Sequence, residues 1–76
     1  DLAFEEITIG QNSCYCNKKL KNTNIQSELD LVIVAIRRKN GEMIFHPMGN
    51  TEILEGDLLI TIGRGESLQK LCESAI

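Results

Sequence analysis

Asp30-Leu31-Val32-Ile33-Val34-Ala35-Ile36-Arg37-Arg38-Lys39-Asn40-Gly41-Glu42-Met43-Ile44-Phe45-His46-Pro47 is the stretch on which the fold turns. Leu31 to Ile36 is an unbroken apolar run, rich in β-branched residues and too short for a typical helix, so it reads as a strand. Asn40-Gly41 is the residue pair of a two-residue type I′ turn, in which both central positions need positive φ. Glu42 to His46 returns as a second strand, and Pro47, with no N–H for a ladder, ends the pairing. The stretch predicts a β-hairpin.

Side chains alternate along a strand, so Leu31, Ile33 and Ala35 face one way and Val32, Val34 and Ile36 the other. Both faces are apolar and both need cover. A chain of 76 residues can lay one layer of helix over one of them. The other needs more of the same chain or a second copy of it, and the second copy is the better expectation because closed two-fold pairing is the commonest homo-oligomeric solution. Arg37 and Arg38 are neighbours on the strand and point to opposite faces. One of them therefore lies on the partner side, where it would meet an anion at the seam of a homodimer.

Outward from the hairpin, Leu2 to Ile9 reads as a strand ended by Gly10. Gln11-Asn12-Ser13 is a polar break with cap candidates, and it predicts a short helix around Tyr15 to Lys21. Lys18, Lys19 and Lys21 form a solvated face, Asn22-Thr23-Asn24 ends the helix, and Ile25 and Leu29 pack inward. Beyond Pro47, Thr51 to Leu54 is a short strand and Glu55-Gly56-Asp57 a tight turn with Gly56 at positive φ. Leu58 to Ile62 is a strand with Leu58, Ile60 and Ile62 sharing one face and Leu59 and Thr61 on another that is half wet or the edge of a contact. Gly63 and Gly65 break the chain, and Glu66 to Ser74 forms a helix whose stripe of Leu68, Leu71, Cys72 and Ala75 lies on the sheet. The expectation is an α+β fold: a small, mostly antiparallel sheet, a short helix after the first strand and a C-terminal helix.

Composition narrows the function. Residues 1–76 form one domain, near the lower size at which an unstapled core suffices. The chain begins with Asp1 rather than Met, which reads as a piece excised from a larger protein. A net charge of −3 and a pI near 5.0 leave no basic footprint for nucleic acid. No run is long enough for direct membrane insertion, and no stretch reads as a signal peptide, so neither is expected. Cys14, Cys16 and Cys72 with His46 lack the paired spacing of a zinc site and read instead as small, partly buried hydrophobes kept reduced in a cytosol. One His, no Ser–His–Asp set and no paired carboxylates offer no nucleophile or base, so an enzyme is not expected. Gly63-Arg64-Gly65 is too short for a phosphate-binding loop and reads as a strand-to-helix turn.

Taken in order, Ser13, Lys18-Lys19-Leu20, Ser27-Glu28-Leu29, Leu31 to Arg38, Asn40-Gly41-Glu42, Pro47, Thr51, Glu55-Gly56-Asp57-Leu58-Leu59, Ile62-Gly63 and the Leu68–Leu71 helix resemble the TrkA-C domain. This is the C-terminal subdomain of RCK modules (regulator of conductance of potassium). Asn17 stands where the family commonly has glycine, a substitution suited to left-handed backbone. The resemblance implies a cytoplasmic regulatory domain attached to an inner-membrane potassium channel, uptake system or cation antiporter. Its partners would be a second copy and an RCK_N-like or membrane domain of the parent protein. It implies no covalently bound cofactor; some members take cyclic di-AMP as an effector in the groove between two copies. Carried onto this chain, the groove is lined by Val32, Val34, Arg38, Ile44, Phe45, His46 and Pro47. The rival reading is a dimerisation element that binds nothing small.

Overall fold

Seven residues, Leu31–Arg37, form the central strand β3, in the computed structural model that describes all of residues 1–76. Around it stand β1 (Leu2–Thr8), β2 (Lys18–Lys19), α1 (Ile25–Glu28), β4 (Met43–Phe45), β5 (Glu52–Ile53), β6 (Leu58–Arg64) and α2 (Gly65–Ala75). Four strands make one antiparallel sheet in the order β1-β6-β3-β4, and β2 pairs with β5 in a separate two-stranded ribbon. The α+β class, the antiparallel sheet and the C-terminal helix are as the sequence predicts.

α2 packs across β1 and β6 with Leu68, Leu71 and Ala75 buried. Beneath it the sheet presents the row Ile44, Ile36, Leu59 and Ile7, joined in register across all four strands. Ile36 and Leu59 are fully buried and Ile7 nearly so. Glu66 in the first turn suits the helix dipole. At the other end, Gly10 donates its N–H to the Ala75 carbonyl at 2.7 Å, and the Ser13 hydroxyl donates to that of Ser74 at 2.7 Å. Ser13 thus caps the end of α2 rather than the start of a helix of its own.

Four local expectations are corrected. The helix around Tyr15 to Lys21 does not form; the short helical segments after β1 are a 3-10 turn at Leu20–Asn22 and α1. Asn17, at φ 64°, breaks any helix there, and Lys18 and Lys19 are drawn into pairing with β5. The hairpin turn holds three residues, not two: Gly41 N–H closes on Arg38 C=O at 3.0 Å, and only Gly41 is left-handed. Gly63 does not interrupt β6, because the missing Cβ is needed there; one would lie 2.6 Å from the Leu31 Cβ. Cys14 and Cys72 are exposed rather than buried, while Cys16 is half-buried with its thiol against the Gly10 carbonyl.

A fifth correction sets the site. β3 carries a bulge: Ile33 pairs with Thr61 but Ala35 with Ile60, leaving Val34 as the extra residue. The bulge reverses the facing of everything after it. Leu31 and Ile33 point to the core before it, and Ile36 points there after it. In β6 the faces are likewise opposite to expectation. Leu59 and Thr61 are sealed in the core, and Leu58, Ile60 and Ile62 are only half-buried on the outside.

Candidate ligand and partner face

The side of the sheet away from α2 has nothing over it. Pairing aligns Val32, Ile62 and Phe4 in one row and Phe45, Ala35, Ile60 and Glu6 in the next. Leu2 extends the first end. Phe45 is 73% exposed, Leu2 75%, and Val32 and Phe4 60% each, with Val34 rising from the bulge between the rows. A run of large apolar side chains in water across a whole sheet face marks a contact surface. Where the face meets α1, a cavity of about 250 Å³ opens, walled by Leu2, Val32, Ile62 and Gly63 with Gln26 and Asp30 at its rim.

Of the seven residues expected to line the groove, Val32, Val34 and Phe45 share this face. His46 follows directly and is exposed. Its N–H donates to Val34 C=O at 2.9 Å, and its backbone is left-handed at φ 52°. For a residue other than glycine that conformation costs on the order of 1–3 kcal/mol, and residues held this way cluster at working sites. Pro47 is buried behind it. Ile44 does not belong to the face: it stands opposite Ile36 and packs against the core.

Arg38 does not belong to it either. Counting onward from the bulge, Arg37 is the outward cation, in a row with Met43, Leu58 and Thr8. Arg37 is exposed and enters no ion pair. Arg38 turns to the core side and pairs with Asp57, which is buried. The same Asp57 carboxylate oxygen accepts the Leu54 N–H at 2.8 Å, so it also closes the turn before β6. A second cavity, of about 300 Å³, lies against this pair and is walled by Lys39, Asn40, Glu42 and Glu55. Its lining residues are mostly charged or polar, and it sits at the hairpin tip, away from the apolar face. The alternation placed one of Arg37 and Arg38 on the partner side, and the groove carried over from the resemblance took Arg38, the wrong one of the two; the β1 contribution of Leu2 and Phe4 was missed. Ile7 between polar neighbours was the only signal of β1's facing, and nothing in the sequence announced the bulge.

Tyr15 is a further buried titratable side chain. Its hydroxyl donates to Asn24 Oδ1 at 3.2 Å, and burial pushes the phenol above its usual 10.0. No group of three or more His, Cys, Asp or Glu side chains is gathered as a metal cage, and the Cys14, Cys16, Cys72 and His46 set is not brought together.

This arrangement matches a known family. The family model described as TrkA-C domain matches residues 4–75. The chain belongs to the TrkA-C family. An uncharacterised protein of Mycoplasma genitalium, MG323, is 37% identical over 60 residues, which are 78% of this TrkA-C chain and 26% of that protein. The chain therefore spans about a quarter of that relative's length. A structure of an RCK domain with cda is 31% identical, with TM-score 0.81, covering 97% of this chain and 99% of the other. The RCK_C domain dimer of S. agalactiae BusR in complex with c-di-AMP has TM-score 0.84 at 24% identity, covering 95% and 93%. The RCK C domain of the potassium transport protein KtrA in complex with c-di-AMP has TM-score 0.83 at 23% identity, covering 96% and 82%. The last two show the fold. No helix of this TrkA-C chain is long and apolar enough to cross a membrane.

Proposed function

We propose that this TrkA-C domain is a regulatory module of a potassium transport system, in which two copies meet through the bare sheet face and take a cyclic dinucleotide of the cyclic di-AMP class at their seam. The observation that carries the reading is the exposed apolar face formed by Leu2, Phe4, Val32, Val34 and Phe45. The likeness, at 31% identity, to an RCK domain solved with cda supports the ligand class. The chemistry suits it. Aliphatic and aromatic side chains cover adenine faces, and Arg37 from each copy, free of any internal partner, reaches a phosphate across the axis. The parent protein supplies an RCK_N-like or membrane domain, and the module works at the cytoplasmic side of an inner-membrane transporter. Binding regulates transport by favouring one geometry of the pair, which requires unequal affinity for two states.

Thermal unfolding with increasing cyclic di-AMP, run beside sedimentation, tests this. A native-state ligand at a hundred times its Kd adds about 2.7 kcal/mol of stability, a rise of several degrees or more in a domain of this size. Arg37→Ala should abolish the rise and leave the dimer intact. A flat melting curve with a dimer retained would replace the ligand reading by assembly alone.

A further inference from the structure

β1 is an outermost strand, with β6 on one side and no strand on the other. Its register runs unbroken from Leu2↔Arg64 to Thr8↔Leu58. Two bonds fix its phase. Ile9 N–H donates to Asp57 C=O at 2.8 Å, and Glu5 C=O accepts the Thr61 hydroxyl at 3.0 Å, so the odd-numbered residues address β6. Alternate residues of an antiparallel strand turn their N–H and C=O to opposite edges. Leu2, Phe4, Glu6 and Thr8 therefore present theirs outward, and none of them joins the hydrogen bonds formed outside the ladder. The bare edge is about 23 Å long at the usual rise per residue. It has no Pro, no Lys and no bulge, the common guards of an edge strand.

What interrupts it is Glu5 and Glu6, both exposed and neither in an ion pair. They decide the occupant. Two-fold pairing of β1 with its own copy, centred on Glu5 or Glu6, sets like charges directly opposite. Centred on Phe4, it sets the carboxylates against Ala3 and Leu2 and crowds four of them into one ribbon. A strand with cations at those places gains what the chain's own copy loses.

We propose that the open edge of β1 takes up an extended basic segment of a partner protein as an added strand. Cations stand opposite Glu5 and Glu6, and an apolar residue opposite Phe4. The edge adjoins the bare sheet face but binds through its own backbone groups, so this proposal does not rest on the ligand reading.

The test is an NMR titration of the amide-labelled domain with the acetylated, amidated heptapeptide Thr-Val-Lys-Arg-Val-Thr-Thr. Binding should shift the Leu2, Phe4, Glu6 and Thr8 amides and slow their hydrogen exchange. N-methylation of alternate peptide residues should abolish it, and the double variant Glu5→Gln, Glu6→Gln should weaken it about tenfold. Three results would overturn the proposal: no response of these four amides at millimolar peptide, equal binding of a peptide with Glu-Glu in place of Lys-Arg, or protection that grows with protein concentration alone, which would assign the edge to a second copy.

Discussion

Asp57 shows how much one side chain can hold. It balances the Arg38 guanidinium and accepts the Leu54 N–H, all with almost no contact with water. Asp57→Ala leaves a largely buried cation and an open turn, and should cost about 3 kcal/mol, read as a fall of at least about 10 °C in melting temperature. The exposed Lys39–Glu55 pair two residues away should contribute little by comparison. Tyr15 gives the molecule a pH response. Burial holds its phenol protonated to a higher pH than in the unfolded chain, so the folded state keeps the proton longer. Stability from this group is complete below 10.0 and is lost as pH rises through the raised value. Absorbance titration of the phenolate should show a midpoint above that of free tyrosine, and Tyr15→Phe should remove the alkaline fall in stability. Asn17 was readable at this scale, since Asn in place of glycine signals left-handed backbone and φ 64° is what it adopts.

The β3 strand makes the next distinction. Its six apolar residues are alike in the sequence, yet they divide sharply in use: Ile36 is sealed while Val32 stands 60% exposed. Ile36→Ala should cost about 3 kcal/mol through the cavity it leaves beneath α2. Val32→Ala should change the stability of the dilute monomer by less than about 0.5 kcal/mol. Equal effects in denaturant titration would contradict the facing set by the bulge. Gly63→Ala should destabilise by about 1–3 kcal/mol, because the added methyl enters the space of Leu31 and neither strand can retreat from its ladder. The helix expected over Tyr15 to Lys21 failed for a related reason. Tertiary pairing of Lys18 and Lys19 with Ile53 and Glu52 outweighed a weak local preference.

At the scale of the whole molecule, one layer of helix covers one face of the sheet and the other face is left for a partner. Phe45→Ser should weaken self-association about tenfold or more in sedimentation, with the melting curve of the dilute protein nearly unchanged. A Phe45→Ser variant that sediments as wild type at high concentration would place the contact elsewhere.

The hairpin, the two apolar sides of its first strand, the C-terminal helix and the family likeness were all determined by the residues themselves, because periodicity and turn chemistry are local properties. Which side each residue serves was decided only in three dimensions. A single extra residue at Val34 reverses the alternation beyond it, and whether a strand takes that residue depends on its pairing with β6, some thirty positions along the chain. That one shift carries Ile36 and Arg38 inward and Arg37 outward, and it leaves Ile44 beneath the sheet rather than on its open face.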